Sequence, residues 1–289
     1  MKVSGFSFIR NAQKYDFPIF EAINSILPIC DDFYIAVGKS EDNTLELIKK
    51  IAPDKIKIIE TVWDDSLREG GKVLAVETNK AFQAIAKDSD WAFYIQGDEV
   101  VHEKYLPEIK RQMELWKDDK SVDGLLFKYL HFYGSYDYVG SSAQWYPNEI
   151  RIVKNNKKIY SYRDAQGFRK NENEKLNVKP IEAYMYHYGW VKHPDKQKEK
   201  IDHSIKFWKS DEGYAKVKDK INDFDYSEID MLSLFNETHP KTMQDLIARK
   251  NWIFDYDISR NKLSLKNKFK NFVKKYLGIE IGYKNYKII

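Results

Sequence analysis

The first hundred residues alternate between short apolar runs and longer amphipathic ones. The apolar runs are rich in β-branched and aromatic residues, as strands covered on both faces are; they occupy residues 3–9, 32–38, 55–61 and 90–96. Between them, residues 44–51 and 72–88 carry apolar side chains at helical spacing. Helices of this length allow successive strands to run parallel, so the pattern predicts an α/β sheet.

The second half of the chain has a different character. Long aromatic strands are predicted at residues 123–134, 148–154 and 183–191, separated in part by a polar stretch at 170–179 that reads as a loop. From Pro194 onward the pattern returns to helices, and residues 262–277 form a basic amphipathic stretch with lysines around an apolar face. This stretch suits an anionic membrane surface; a solvated helix packed on the domain is the favoured alternative.

Composition excludes several classes of protein. The 289 residues are 43% hydrophobic, enough for one large domain or two small ones. With 48 basic and 44 acidic residues the charges nearly balance, so no nucleic-acid partner is expected. A single cysteine, Cys30, rules out an intramolecular disulfide and favours a cytoplasmic setting. No apolar run approaches the roughly 18 to 20 residues of a membrane span, so any membrane contact would be peripheral.

A pair of carboxylates follows directly after the fourth predicted strand. Asp98 and Glu99 come after Gly97, and two other predicted strands end in the polar sequences FIRNAQ and VGKSEDNT. Ligands of open α/β sheets bind outside the carboxyl ends of the strands. Carboxylate oxygens suit Mg²⁺ or Mn²⁺, usually together with substrate phosphates. The pair therefore indicates a metal site facing a phosphate, although two carboxylates that merely solvate a turn would look the same.

The order of these pieces resembles the family-2-like glycosyltransferases of the GT-A fold. Residues 7–48 are similar to the family's opening strand, helix and second strand, and EGGKVLAVETNKAF to its glycine-containing loop and following helix. The sequence DWAFYIQGDEVV resembles the strand that runs into the family's Asp-x-Asp metal motif, with Gln96 at the first position of the motif. The resemblance covers residues 1–195. It implies a Rossmann-like mixed α/β sheet with a nucleotide-sugar-binding half (1–100) and an acceptor half (120–195), followed by a helical C-terminal extension (196–289).

The resemblance also implies a function. We expect a metal-dependent glycosyltransferase of the hexosyltransferase type, which moves a sugar from a nucleotide-diphosphate sugar to a hydroxyl acceptor, such as a glycan or a lipid-linked saccharide. Inversion at the anomeric carbon is the expectation from the family. The resemblance places Mn²⁺ or Mg²⁺ on Asp98, with Glu99 as a helper and with His187 of the sequence YHYGWVK. The other histidines, His131 among them, show no comparable context.

Contacts with the donor are implied for six positions that match the family's motifs: Arg10, Asn11, Ser40, Asp42, Lys72 and Asn79. Lys72 follows two glycines at the start of a predicted helix, where backbone amides and a positive charge favour an anion. An exposed surface lysine is the alternative. Arg10 and Asn11 equally suit a helix start without a ligand.

A sugar transfer also needs a base that takes the proton of the acceptor hydroxyl. Asp164, in the loop YRDAQGF, is the favoured candidate, and Glu149, which begins a strand beside Arg151, is the second. Both are also compatible with a purely structural role.

Two other functions are compatible with the same residues. A nucleotidyltransferase also needs a carboxylate at the edge of a sheet, but a glycine-rich phosphate loop would be expected after its first strand, and SFIRNAQK has no glycine. A protein that binds nucleotide-sugar or carbohydrate without turnover would explain why Gln96 replaces the first aspartate of the motif.

Overall fold

The computed structural model describes residues 1–261, 267–270, 276 and 284–289. In the first hundred residues, four strands and three helices alternate; the strands are β1 (Val3–Ile9), β2 (Asp32–Gly38), β3 (Ile56–Thr61) and β4 (Trp91–Tyr94). The helices are α1 (Ile19–Ile26), α2 (Thr44–Lys49) and α3 (Lys72–Ala84). The strands are parallel and lie in the order β3–β2–β1–β4. Their carboxyl ends therefore meet at one edge of the sheet.

The second half continues the same sheet with mixed pairing. Its elements up to residue 190 are β5 (Glu99–Val101), α4 (Leu106–Trp116), β6 (Gly124–Tyr133), β7 (Tyr138–Gly140), β8 (Asn148–Lys154), β9 (Ile159–Tyr162), β10 (Gly167–Lys170) and β11 (Glu174–Trp190). The sheet order runs from β4 through β8, β6, β11 and β10 to β9. β8 is antiparallel to β4 and β6, whereas β6 and β11 are parallel. The short strand β5 pairs antiparallel with β11.

Shorter elements follow residue 193. They are α5 (Pro194–Ser204), α6 (Asp211–Ala215), α7 (Lys218–Asn222), β12 (Leu232–Leu234), α8 (Gln244–Ala248) and β13 (Tyr286–Ile288). Single 3₁₀ turns lie at Leu27–Ile29, Glu103–Tyr105, Ile205–Phe207, Lys241–Met243 and Ile258–Arg260. β12 pairs with β7, and β13 pairs with β11. This part of the chain thus adds strands as well as helices, and the division at residue 195 stays a prediction.

The core lies on both faces of the parallel strands because successive side chains of a strand point to opposite faces. In β2, Phe33 and Ile35 pack with residues of α1 on one face, while Tyr34 and Ala36 join Phe82 of α3 on the other. All four strand residues are buried. Burial on both faces explains why these strands have no polar alternation in the sequence.

The predicted α/β class with a mixed sheet is confirmed. The first two strands have the predicted bounds, and β4 ends two residues earlier than predicted because the chain turns at Gln96 toward β5, with Glu99 N donating to Gln96 O at 3.1 Å. The predicted loop at 170–179 is wrong at Lys170, which ends β10, and from Glu174 onward. There, Leu176 and Val178 are buried at alternate positions of β11, and polar side chains lie between them. The backbone of this segment pairs with β10, β6 and β13, which makes it a strand despite its polar composition.

The described residues contain no helix long and apolar enough to cross a membrane. The predicted basic amphipathic stretch at 262–277 lies largely outside the described residues; within it, residues 267–270 and 276 are helical. A membrane-facing role for this stretch therefore stays a prediction.

Candidate active site

The pairing of β5 with β11 places Asp98 beside His187. Glu99, the first residue of β5, lies opposite His187 in the register, so Asp98 sits one residue before this pair. The backbone N–H of Tyr188 donates to the carbonyl of Asp98 at 2.8 Å, which holds the backbone of Asp98 next to β11. The sheet therefore brings together two residues that are far apart in the sequence, as the family resemblance implies for a metal site.

The two oxygens of the Asp98 carboxylate have different neighbours. Oδ2 accepts a hydrogen bond from the Lys200 ammonium at 3.0 Å, and Oδ1 lies 3.8 Å from His187 Nε2. Burial by itself raises the pKa of this carboxyl, which is only 9% exposed. The positive charge of Lys200 outweighs burial and holds the pKa of Asp98 well below its ordinary value. Asp98 is therefore charged at neutral pH.

The space between these two groups depends on Gly189. A Cβ atom at this position would lie 2.6 Å from His187 Nε2 and 2.8 Å from Asp98 Oδ2. Any larger residue would fill the gap between the carboxylate and the imidazole. The chain thus keeps open a small space bordered by an oxygen and a nitrogen ligand, the kind of atoms that Mn²⁺ and Mg²⁺ sites use.

Glu99 is committed to a buried ion pair. Arg151 donates to both of its carboxylate oxygens, at 2.7 and 2.9 Å, and the Tyr129 hydroxyl donates at 2.7 Å. The side chains of Glu99 and Arg151 are fully buried. These contacts give Glu99 a structural task, and its contact with a metal stays a prediction. In the described residues, no group of three or more His, Cys, Asp or Glu side chains forms a metal site.

A central cleft of about 260 Å³ opens in front of Asp98. Its wall is largely aromatic, and it includes Arg10 from the end of β1, Asp164 from the β9–β10 loop, and Lys200 from α5. Arg10 pairs with Asp65 at 2.9 Å, and its guanidinium lies 4.3 Å from the ring centre of Trp63. The cleft thus combines flat apolar surfaces with cations, a combination that suits a nucleoside diphosphate.

Three of the predicted donor residues hold the edge of the sheet together. Asn11 Oδ1 accepts from Glu41 N at 2.7 Å, and Ser40 Oγ accepts from Asn11 N at 3.0 Å. Asp42 accepts from Lys14 N and from Thr44 N at 2.7 and 2.9 Å. These bonds fasten the loop after β1 to the loop after β2. Their direct contact with a donor stays a prediction.

The other two predicted donor residues belong to α3. Lys72 is exposed at the first position of the helix, and Gly71 before it has a left-handed backbone with φ of 70°. Asn79 bonds the backbone of Ser161 in both directions, accepting from N at 2.7 Å and donating to O at 3.3 Å. Asn79 therefore ties α3 to β9. A donor contact from either residue stays a prediction.

Asp164, the favoured base, lies in a strained loop. Its neighbours Arg163 and Ala165 have φ values of 54° and 63°, which residues other than glycine seldom adopt. Gly71 packs against the loop, because a Cβ there would lie 2.6 Å from Cβ of Asp164. Gln96 donates to the carbonyl of Ala165 at 3.2 Å. The residue in the first position of the metal motif is therefore a tether for the loop of the candidate base.

Asp164 lines two clefts at once. Besides the central cleft, it borders a second cleft of about 330 Å³, the acceptor-side cleft, whose wall includes Trp145, Tyr146, Glu149 and Tyr162. Burial raises the pKa of Asp164. A carboxylate with a raised pKa, placed between two clefts, has the position and the basicity to take a proton from one ligand while another lies in front of it.

Glu149 lies deeper in the wall of the acceptor-side cleft. It is 4% exposed, and its Oε2 has no hydrogen-bond partner among the described residues. Burial raises its pKa to about 8, although Arg151 opposes the rise. At neutral pH this carboxyl is therefore mostly protonated, which suits a hydrogen-bond donor better than a base.

Sequence reasoning missed two residues of the site. Lys200 lies in α5, a helix from the part of the chain that showed no motif, and only the fold brings its ammonium to Asp98. His131 showed no distinguishing context, yet its Nδ1 lies 3.1 Å from Nδ1 of His187. Both histidines lie in aromatic segments that the sequence predicts to be strands. This pattern alone does not show that His131 is the partner of His187, because the register of β6 and β11 is not visible in the sequence.

No protein-family model matches the chain, and no curated protein matches it. Among solved structures, it is similar to S. aureus TarS, at 17% identity and a TM-score of 0.39. The match covers 71% of this chain and 39% of TarS. Against TarS 1–349 in complex with UDP, the match covers 76% of this chain and 69% of that fragment, with the same identity and TM-score.

Two further solved structures match the chain. Glucosyl-3-phosphoglycerate synthase from Mycobacterium tuberculosis, in complex with Mn²⁺, UDP and phosphoglyceric acid, has 15% identity, a TM-score of 0.30, and coverage of 45% of this chain and 43% of that one. The 4-diphosphocytidyl-2C-methyl-D-erythritol synthase from Anaerococcus prevotii has 11% identity and a TM-score of 0.39. This match covers 71% of our chain and 94% of the synthase. Likenesses of this size leave the function to be decided by the chain's own residues.

The buried pair of Glu99 and Arg151 gives a first expectation about stability. Arg151→Leu leaves the Glu99 carboxylate buried without its cation, which costs about 3 to 5 kcal/mol of the free energy of unfolding. The double variant Glu99→Gln/Arg151→Leu removes both charges and should lose clearly less. Urea unfolding followed by circular dichroism measures both. A loss under about 1 kcal/mol in Arg151→Leu would show that the pair is unimportant for stability.

The raised pKa of Glu149 gives a second expectation. Between the ordinary pKa near 4.5 and the folded-state value of about 8, the folded protein binds a proton that the unfolded chain has released. The free energy of unfolding therefore falls as pH rises through this window, by at most about 1.4 kcal/mol per pH unit. Glu149→Gln, which cannot titrate, should remove this part of the slope in urea unfolding from pH 5 to 8. An identical slope in wild type and variant would exclude the raised pKa.

Proposed function

We propose that the protein is a glycosyltransferase that takes a sugar from a nucleotide-diphosphate donor and passes it to a hydroxyl acceptor. The observation that carries this proposal is the position of Asp164. It borders both the central cleft, which also contains Asp98, His187, Arg10 and Lys200, and the acceptor-side cleft. A transfer of a group from one ligand to another requires that both ligands lie next to the residue that moves the proton, and Asp164 has this position.

The donor is proposed to lie in the central cleft. The aromatic wall around Trp63 suits the flat nucleobase, and the cations Arg10 and Lys200 suit the diphosphate. Lys200 comes from α5, so this helix takes part in donor binding as well as covering the cleft. As the sugar bond breaks, negative charge grows on the diphosphate, and cations already in place stabilise it without reorganisation.

Asp98 and His187 fit a divalent cation. Their facing atoms are 3.8 Å apart, between the roughly 3.0 Å of adjacent ligands and the roughly 4.2 Å of opposite ligands around a cation with bonds of about 2.1 Å, and Gly189 keeps the space open. Two protein ligands are few, but Mg²⁺ is commonly held by one or two carboxylates together with substrate phosphates. We propose that Asp98 and His187 hold Mn²⁺ or Mg²⁺ when the donor is bound. The bound cation would neutralise charge on the leaving diphosphate.

Asp164 is proposed as the base. It would accept the proton of an acceptor hydroxyl in the acceptor-side cleft as the oxygen attacks the anomeric carbon from the side opposite the diphosphate, which inverts that carbon. The raised pKa of Asp164 makes it a better proton acceptor than an ordinary aspartate. Glu149, which is mostly protonated, would donate a hydrogen bond to the acceptor.

The alternative of a binding protein without turnover rested on Gln96. In the structure, Gln96 Nε2 bonds the Tyr94 hydroxyl and the carbonyl of Ala165, both at 3.2 Å. This amide supports the loop of the candidate base, so its presence is compatible with catalysis. A nucleotidyltransferase remains the second candidate, because it would use the same carboxylate, Asp98, at the edge of the sheet. The acceptor-side cleft next to Asp164 favours transfer of the sugar.

Asp98→Asn tests the metal site. Because the amide cannot replace a charged oxygen ligand, we expect this variant to keep its fold and to lose the Mn²⁺-dependent part of the thermal stabilisation by nucleotide-diphosphate sugars. Differential scanning fluorimetry with Mn²⁺, with Mg²⁺ and with chelator measures the shift across a panel of donors. Asp54→Asn, an exposed residue just before β3 and outside the central cleft, is the matched control. A full metal-dependent shift in Asp98→Asn would remove Asp98 from the site.

Asp164→Asn tests the base. Donor binding should stay within about threefold of wild type, while kcat for transfer falls by about 10² to 10⁴, the usual contribution of a general base. Release of the nucleoside diphosphate in the presence of acceptor measures transfer, and thermal shift measures donor binding. Glu149→Gln should lower transfer far less, because its carboxyl is mostly protonated already. The reverse ranking of the two variants would pass the role of base to Glu149.

A further inference from the structure

We propose that His131 is a positioning residue for the metal site: it fixes the tautomer of His187 so that the Nε2 lone pair of His187 faces the cation. This inference rests on the proposed metal site at Asp98 and His187. It assigns a role to a residue that the sequence did not distinguish from a histidine of the core.

The register of two parallel strands places the histidines side by side. His131 of β6 and His187 of β11 are direct partners in the pairing, so their side chains lie on the same face of the sheet. Their Nδ1 atoms are 3.1 Å apart, and their rings cross at 75°. The other nitrogen of His131, Nε2, lies 2.8 Å from the carbonyl oxygen of Tyr146.

The protons of this chain of contacts can be placed by counting donors and acceptors. A carbonyl oxygen only accepts, so Nε2 of His131 carries a hydrogen. A neutral imidazole has one N–H, which leaves Nδ1 of His131 as an acceptor. Nδ1 of His187 must then be the donor across the 3.1 Å contact. It follows that Nε2 of a neutral His187 carries a lone pair.

This lone pair faces a carboxylate. Nε2 of His187 lies 3.8 Å from Oδ1 of Asp98, and both atoms are acceptors in the state described. Two facing acceptors repel each other unless a cation lies between them. The Lys200 ammonium does not do this, because it binds the other oxygen, Oδ2, at 3.0 Å. The arrangement of hydrogen bonds therefore prepares His187 to bind a metal ion, and His131 is the group that enforces it.

Burial keeps this arrangement in place. His131 is 3% exposed and stacks between Tyr129 and Trp145, with ring centres 5.4 and 5.0 Å away. A charged ring would lose its hydration there, so the neutral form is favoured. The packing also means that a substitution can remove the nitrogen while keeping an aromatic ring in the same space.

Two variants separate the nitrogen from the packing. His131→Phe keeps a ring but has no acceptor for the Nδ1–H of His187. His131→Asn places an amide oxygen close to the position of Nδ1, so it can still accept this hydrogen bond. Thermal unfolding of each variant establishes that it is folded. A role in packing alone predicts that Phe is tolerated better than Asn, and a role in positioning predicts the reverse.

The first readout is the tautomer, which needs neither metal nor substrate. Long-range ¹H–¹⁵N correlation spectra of protein labelled with ¹⁵N-histidine, recorded at neutral pH with chelator, should show His187 protonated at Nδ1 in wild type and in His131→Asn. In His131→Phe the proton should move to Nε2, where it can bond Asp98. His187 protonated at Nε2 in wild type would overturn the proposal.

The second readout is the affinity for Mn²⁺, measured from the electron paramagnetic resonance signal of free Mn²⁺. The titrations are done with saturating UDP and, in parallel, with saturating GDP, CDP and ADP. His131→Phe should bind Mn²⁺ about 10- to 100-fold more weakly than wild type, the usual effect of losing such a partner, and His131→Asn should stay within a few-fold. Unchanged affinity in His131→Phe would overturn the role of His131 alone. Absence of Mn²⁺ binding by wild type with every nucleotide would overturn the proposed metal site, and the tautomer spectra distinguish the two failures.

Discussion

The site depends on a buried guanidinium. Arg151 of β8 binds the Glu99 carboxylate at the start of β5, and its Nη1 donates to the carbonyl of Gln166 at 2.8 Å. Glu99 follows Asp98 directly, and Gln166 lies two residues after Asp164. One side chain therefore connects the turn that carries the candidate metal ligand with the loop that carries the candidate base. Loss of this contact would loosen both, although Arg151 need not touch a ligand itself.

The carboxylates of the site differ in charge because their neighbours differ. Asp98, Glu149 and Asp164 are all partly or fully removed from water, which by itself raises the pKa of each. Only Asp98 has a cation, Lys200, close enough to reverse this effect. Separation of the pKa values within a cluster of carboxylates is what allows one to act as a charged ligand and another as a proton acceptor. The carboxyl groups of the site therefore have pKa values shifted in different directions, as their proposed roles require.

Much of the parallel half of the fold could be predicted from the sequence, because strands that are buried on both faces are continuous apolar runs. β1 and β2 have the predicted bounds for this reason. The position of Asp98 at a strand end was predictable in the same way. The polar start of β11 could not be predicted, because polar residues outnumber the alternating Leu176 and Val178. Its strand conformation depends on backbone pairing with three other strands, which the local sequence does not show. The task of Glu99 was hidden as well, because its partner Arg151 lies 52 residues away.

The sequence pointed to His187 and not to His131 for the same reason, since contacts between distant segments are not visible in local patterns. His187 stood out only through the spacing of a family motif, whereas His131 had no motif, and the contact between them is a property of strand register. A register places residues opposite each other irrespective of how distant they are in the chain, and local patterns do not encode it. Gln96 shows the complementary case. Local comparison marks it as a missing ligand, but its amide bonds the loop of Asp164. The residue that departs from the metal motif therefore contributes to the geometry of the proposed base.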